Sequence, residues 1–501
     1  MTRASLVFLL PLLIFSRFSQ TQAQAAVKTS KLAKTFQINS RRVNQGVHVV
    51  RASDGQVLFS QNSQQLFSPA SLSKLVTSAA LLHYFGANHR FHTNFYFTGS
   101  FQKGIITGDL IIEPDGDPTL ISETLWQFSR DLKHIGLKSI KGNILVKENL
   151  FSGDIRDELR LEGLQSSNHA YDAPITAFGI NFNTIAIAIS PGSAAGSIAR
   201  ANLDPFPIAN ISIENKLRTS KAGRKPYIRA TRVSLPQGKA KIVLSGRIPL
   251  DSSLIKIYRS VNDPFITSGE IIKSFLHDAN ISTKGKIQKI SAVPGDSMKL
   301  ITIESEPMSA IIKKLNIHSN NFIADVMIKR LGVANYSQDG HLPNPEKAGG
   351  TYKQGMNAIN QFLKTQVGIR SKYHLENGSG LTIQNRLSAQ QITQILLYMS
   401  KHWEVFPDFL ASLPTAGETG TLEKRFKSLR TSPLRGQIRA KTGTLSDPYT
   451  VSSLAGFIHH KNHGLIAFSI IHNGKPGKKQ PRILDLQEKQ ELDLLGLARY
   501  L

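Results

Sequence analysis

Ser71 and Lys74 stand three residues apart in Ser68-Pro69-Ala70-Ser71-Leu72-Ser73-Lys74-Leu75, heading a run in which Leu72, Leu75, Val76, Ala79 and Leu82 recur at helical spacing. Residues three apart on a helix share a face, so the hydroxyl and the amine are expected to point into the same space. The apolar residues give that helix a stripe to bury, and Pro69 sets the turn that feeds it. Ser71 is therefore a candidate nucleophile at a positive helix end, beside a candidate base. Ser-x-x-Lys is short enough to arise by chance, so it acquires meaning only with partners elsewhere.

At 501 residues the chain is too long for one ordinary core, and two or three domains are expected. Ahead of Ser71, the runs Gly46–Val50 and Gln56–Ser60 flank Asp54-Gly55, the signature of a hairpin. Behind it, alternating runs over 91–97, 108–112 and 142–146, with a helical pattern over 122–135, outline an α+β region ending near residue 189. Composition then shifts to Gly, Ser and short β-type runs carrying ten Lys and Arg between Lys216 and Arg247. These cations read either as a solvated face of a small β domain or as a surface for an anionic polymer. Helix and strand return over 265–295. From 296 the pattern is mainly helical, closing with strand runs over 437–440, 451–458 and 465–471 and a leucine-bearing helix over 483–497. The expected division is 26–90 with 296–501, 91–189 with 265–295, and 190–264.

Arg3, the apolar block Leu6–Phe15 and the small residues up to Ala25 have the order of a secretory signal peptide, so residues 1–25 are expected to be removed near Ala25. No later segment is long and apolar enough to cross a membrane. The chain has no cysteine, so an exported protein here relies on ordinary cores. A bacterial periplasm or cell envelope fits best. The formal charge is +26, or +24 once Arg3 and Arg17 leave with the leader. Such a balance suits an acidic wall polymer or an anionic membrane surface, and export argues against nucleic acid as the partner. His459-His460-x-x-His463 sits where two strands must turn and lacks a glutamate, so neither metal nor other cofactor is expected.

Two further stretches carry chemistry. Ser319-Asn320-Asn321 lies between two helical patterns and offers a second hydroxyl and a carboxamide; alone it would pass as a helix-linking loop. Lys441-Thr442-Gly443-Thr444 ends a strand run, and Gly443 removes a side chain where another backbone can approach.

Together, and in this order, Ser-x-x-Lys, Ser-x-Asn and Lys-Thr-Gly resemble the three-part set of the penicillin-recognising serine acyl enzymes. Ser319 follows Ser71 by 248 residues and Lys441 follows Ser319 by 122. The long first gap resembles the class C low-molecular-mass penicillin-binding proteins, the type-4 D-Ala-D-Ala carboxypeptidase/endopeptidase group. The resemblance extends to Gly116–Leu120, Tyr171–Pro174, Asn181–Thr184, Asn377–Leu381, Leu413–Gly417 and Gly420–Leu422. It implies an α/β multidomain protein: a penicillin-recognising serine transpeptidase-like (beta-lactamase-like) domain, interrupted by an insertion of two smaller domains, one α+β and one mostly β.

It also implies a mechanism. Ser71 would attack the carbonyl between two D-alanines of a peptidoglycan stem peptide, and beta-lactams would acylate the same hydroxyl. Lys74 would take the Ser71 proton, kept neutral by the nearby Lys441 ammonium. Ser319 would relay the proton to the leaving amine and Asn321 would hold the substrate amide. Thr442, Gly443 and Thr444 with Lys441 would bind the terminal carboxylate, and the N–H groups of Ser71 and Thr444 would form an oxyanion hole. The chain departs from the family at Asn377 and Thr382, both mild changes, and at Lys147, where many members carry an acid suited to a diaminopimelate ammonium. Either Lys147 reverses that charge or Glu148 supplies the acid through a one-residue shift. A non-catalytic peptidoglycan- and penicillin-binding module of the same fold is the competing class.

Overall fold

The computed structural model describes residues 31–38, 40–153, 167–333 and 349–501. The expected signal peptide, residues 1–25, lies outside them. Among the described residues no helix is long and apolar enough to cross a membrane.

β1 (Val43–Arg51) and β2 (Val57–Gln61) form an antiparallel pair closed at Asp54-Gly55. Gly55 takes φ +76°, and the Asp54 carboxylate accepts from Arg51 Nε and the Gln56 N–H, which is the turn chemistry the dipeptide supplies. The helix expected at Ser71 starts after it, as α1 (Ser73–Phe85). Ser71 itself lies in one 3-10 turn, Ala70–Leu72, with Ala70 at φ +49°. Every residue of α1 from Ser73 to Leu82 is buried, not a single stripe, because later helices enclose it.

The inserted segment includes β3 (His92–Phe97), β4 (Leu110–Glu113), α2 (Ser122–His134), β5 (Ile144–Lys147), β6 (Thr184–Ser190), β7 (Arg200–Asp204), β8 (Ile211–Asn215), β9 (Arg218–Ser220), β10 (Tyr227–Ser234), β11 (Ala240–Pro249), β12 (Ile255–Ser260), α3 (Pro264–Asp278), β13 (Ile287–Ile290) and β14 (Met298–Glu304). One sheet runs β13-β5-β4-β3-β14, a second β7-β6-β12, and in a third β11 is flanked by β10 on one side and by β8 and β9 on the other. Two sequence boundaries move. β14 pairs antiparallel with β3, so the expected return at 296 falls ahead of the last inserted strand. β6 pairs with β7 and β12 and not with the β3–β5 sheet, so it joins the β-rich part. One continuous apolar cluster from Phe95 to Ile303 serves both inserted parts, so they share a core.

Beyond the insertion the longer elements are α4 (Met308–Ile317), α5 (Asn321–Val333), α6 (Tyr352–Thr365), α7 (Ala389–Lys401), β15 (Ile438–Leu445), β16 (Val451–His460), β17 (Gly464–Gly474) and α8 (Ile483–Tyr500). The main sheet is antiparallel throughout, ordered β2-β1-β17-β16-β15, so the first hairpin joins the last three strands. α7 packs on one face and α8, with Leu494 and Leu497, covers the other against Leu454 and Phe468. Covered on both faces, β16 and β17 are buried nearly end to end. β15 is left at the edge, beside the Ser71 turn.

Candidate active site

The sheet fixes the Ser71 turn through side chains that rise from its central strands. Asn473 on β17 accepts from Ser68 N–H at 2.8 Å and donates to the Ser68 carbonyl at 3.0 Å, while Ser453 Oγ on β16 donates to the Pro69 carbonyl at 2.7 Å. Two glycines let other backbones close on the turn. A Cβ on Gly443 would stand 2.7 Å from the Pro69 oxygen and 3.0 Å from Ser71 N. A Cβ on Gly380, at φ +76°, would collide with the Ala70 carbonyl and stand 3.0 Å from Ser71 N. The backbone that approaches Gly443 is thus that of the nucleophile's own turn.

Lys74 follows Ser71 by just under one helical turn and is fully buried. Its Nζ lies 3.1 Å from Ser71 Oγ, 2.6 Å from Asn321 Oδ1 and 2.5 Å from the Ser379 carbonyl oxygen. Ser319 joins α4 to α5 at φ +52°, a conformation that reverses the chain between the helices. Asn321 can then face Lys74 while Ser319 Oγ accepts from Lys441 Nζ at 2.9 Å. Lys441 also donates to the Thr442 carbonyl at 2.7 Å. Five residues scattered from 71 to 441 thereby form two adjoining groups, each built on one amine: Lys74 with Ser71 and Asn321, and Lys441 with Ser319.

Lys441 is fully buried and forms no ion pair among the described residues. Burial first, and the neighbouring Lys74 second, hold its amine well below the usual lysine range. The like-charge repulsion expected between Lys74 and Lys441 acts on the Lys441 amine, where burial adds to it. Like charges in a dry site oppose each other whichever is named first.

Other expectations are redrawn. Lys441, Gly443 and Leu445 are buried and share one face of β15, while Thr442 is half-buried and Thr444 exposed on the other. Thr442 Oγ1 donates to Thr421 Oγ1 at 2.8 Å. Lys147 and Glu148 are not gathered with the rest. Lys147 Nζ pairs with Glu113 at 2.9 Å and lines a separate cavity of about 660 Å³ with Asp115 and Arg330. Arg330 lies nine residues beyond Asn321 on α5, or about 14 Å along the helix. Glu148 is half-buried elsewhere, its carboxyl pushed up by desolvation with Lys289 pulling the other way. His460 Nδ1 accepts from the Asn462 and His463 N–H groups, which ties the histidines to the β16–β17 turn.

Sequence reasoning missed two contributors, the Ser379 carbonyl on Lys74 and the Tyr171 carbonyl, which accepts from Asn321 Nδ2 at 3.1 Å. Both lie in stretches that carried the resemblance, but they act through main-chain oxygens that every residue type possesses. Gly380, at positive φ beside Ser379, is the signal that marks such a turn.

The fold and sequence have relatives. The D-alanyl-D-alanine carboxypeptidase of Actinomadura sp. is 29% identical over 448 residues, covering 86% of this chain and 78% of the relative. The D-alanyl-D-alanine carboxypeptidase DacB of Haemophilus influenzae is 24% identical over 439 residues, covering 86% of this chain and 85% of that protein. The crystal structure of penicillin binding protein 4 from Haemophilus influenzae superposes with a TM-score of 0.73 at 24% identity, covering 94% of this chain and 99% of that one. The model of the D-Ala-D-Ala carboxypeptidase 3 (S13) family matches residues 28–490, and the chain belongs to that family.

Proposed function

We propose that Ser71 is the nucleophile of a serine D-Ala-D-Ala carboxypeptidase acting on peptidoglycan stem peptides. Its Oγ attacks the carbonyl between the two D-alanines, the terminal D-alanine leaves, and water hydrolyses the acyl-enzyme. The observation that carries this reading is Lys74 Nζ at 3.1 Å from Ser71 Oγ, within reach of a general base. A neutral amine has two N–H donors and one lone pair. Asn321 Oδ1 and the Ser379 carbonyl accept from Nζ and hold it against Ser71 Oγ, whose proton the lone pair of the neutral amine would take.

Ser319, which accepts from Lys441, passes that proton to the leaving amine. A substrate carboxylate arriving beside Lys441 favours its charged form, since a counter-ion offsets the water lost on burial. Thr442 and Thr444 border that carboxylate, and an extended peptide lies along the β15 edge. The N–H groups of Ser71 and Thr444 polarise the scissile carbonyl. When the leaving amine belongs to a neighbouring peptide, the same chemistry opens a D,D cross-link.

Beta-lactams acylate Ser71 in this reading; penicillin binding protein 4 of Haemophilus influenzae has been crystallised with one. The chain is exported and loses residues 1–25, which N-terminal sequencing of the mature protein checks. For the chemistry, benzylpenicillin is added to the purified protein and the adduct mapped by mass. One adduct on the peptide containing Ser71, with release of D-alanine from a peptide ending in D-Ala-D-Ala, is expected. An adduct elsewhere, or undiminished labelling of Ser71→Ala, overturns the assignment.

A further inference from the structure

The cations of the inserted β-rich part play no role in the chemistry above. Residues 191–260 hold thirteen Lys and Arg against three Asp and Glu, a net +10 out of +26. Strand register shows where they go. In the β10–β11 pair, Tyr227 faces Arg247, Arg229 faces Ser245, Thr231 faces Val243 and Val233 faces Lys241, and in the β9–β11 pair Arg218 faces Arg247. Paired residues share a sheet face, and alternation turns Ala230, Ile242, Leu244 and Ile248 into the core. The opposite face therefore presents Arg218, Tyr227, Arg229, Lys241 and Arg247 to solvent.

The face is built rather than merely charged. Tyr227, 54% exposed, lies under the Arg247 guanidinium at 5.8 Å and accepts from Arg229 Nη2 at 3.3 Å, so one aromatic ring positions two guanidinium forks. Glu214 is the carboxylate on this face, and Lys216 and Lys241 occupy it at 2.6 Å each. Arg218, Arg229 and Arg247 form no ion pair among the described residues. From Lys241 to Arg247 the strip runs about 20 Å along β11 and spans three strands, about 10 Å across. Lys221, Arg224 and Lys225, in the turn from β9 to β10, are exposed and extend it at one end.

We propose that this face binds a linear polyanion with a carboxylate or phosphodiester on each repeat, laid along β11. Guanidinium forks match both anions in two-point geometry, and a row of them rewards a ligand whose charges repeat. A flat bilayer fits less well. The exposed leucines nearest the strip, Leu235 at one end of β11 and Leu250 with Leu254 at the other, do not combine into the single apolar edge that insertion needs.

The test uses the whole chain with two polymer probes, poly-L-glutamate and inorganic polyphosphate, and with phosphatidylglycerol vesicles as the rival surface. Both polymers are expected to bind, with affinity falling as salt rises. Arg218→Glu/Arg229→Glu/Arg247→Glu is expected to lose at least about tenfold in affinity at about 0.1 M salt, while Lys133→Glu/Lys284→Glu/Lys286→Glu, of equal net charge, stays within about threefold. Arg229→Gln/Arg247→Gln is read in parallel and loses affinity in the same sense. Benzylpenicillin acylation, unchanged in every variant, reports that the catalytic part is folded. Unchanged polymer affinity in both face variants, equal loss in the control, or capture by vesicles without capture by polymers overturns the proposal.

Discussion

Lys441 and Arg247 both sit on strands and neither forms an ion pair among the described residues, yet water treats them differently. Lys441 is 0% exposed, and burial followed by Lys74 depresses its amine, so its charge depends on what enters the cleft. Arg247 keeps contact with solvent while stacked on Tyr227, where salt screens its field over about 8 to 10 Å. Burial makes a cation chemically switchable, and exposure makes it a salt-sensitive site of adhesion. Neither role can be read from the residue type alone.

The comparison breaks most completely at Ser71. Ser71→Ala should lower benzylpenicillin acylation by at least about 10⁴-fold, judged by intact mass, while leaving polyanion binding untouched. Loss of both in one variant would show that the two regions are not independent. Next in size, Lys441→Met should reduce kcat/KM for D-alanine release by about 10²- to 10³-fold. Removing one of two neighbouring amines relieves the other of repulsion, so the acidic limb of the acylation profile should move to higher pH. A profile that keeps its position would remove the coupling from the mechanism.

The same substitution sharpens the contrast in stability. A lysine whose folded pKa is depressed costs stability below that pKa, and the cost fades as pH rises towards 10.5, the unfolded value. Lys441→Met should therefore gain about 1 to 2 kcal/mol near neutral pH in denaturant melts, the gain narrowing towards pH 10. A loss at neutral pH, or a gain that grows with pH, contradicts the burial argument. The smallest effect belongs to the exposed cation. Arg247→Gln should shift stability by no more than about 0.5 kcal/mol, with acylation unaltered at low and high salt. A shift above about 2 kcal/mol would mean that the Arg247–Tyr227 contact is part of the inserted core.

Much of the cleft was legible because its chemistry is written in side chains. Ser71 with Lys74, Ser319 with Asn321, and Lys441 with Gly443 each form a short local pattern, and the structure joins all three. The hairpin at Asp54-Gly55 was equally local. What escaped was decided by partners far away in sequence. β14 and β6 resemble neighbouring runs in composition, and only pairing with β3, or with β7 and β12, assigns them. Lys147 and Glu148 sit at the end of a recognisable strand, but where each side chain ends depends on Glu113, Lys289 and the surrounding burial.

By itself, then, the sequence determined the reactive groups, their order and the presence of a long insertion, since these follow from residue types and periods that survive without a fold. The tertiary structure alone decided three further things: how deeply the Lys441 amine is buried, which carbonyl oxygens hold Lys74 and Asn321, and which strand face carries the cations. The physical reason is common to all three. Desolvation, main-chain hydrogen bonding and strand register belong to pairs of residues that meet only when the chain is folded, and no residue carries them alone.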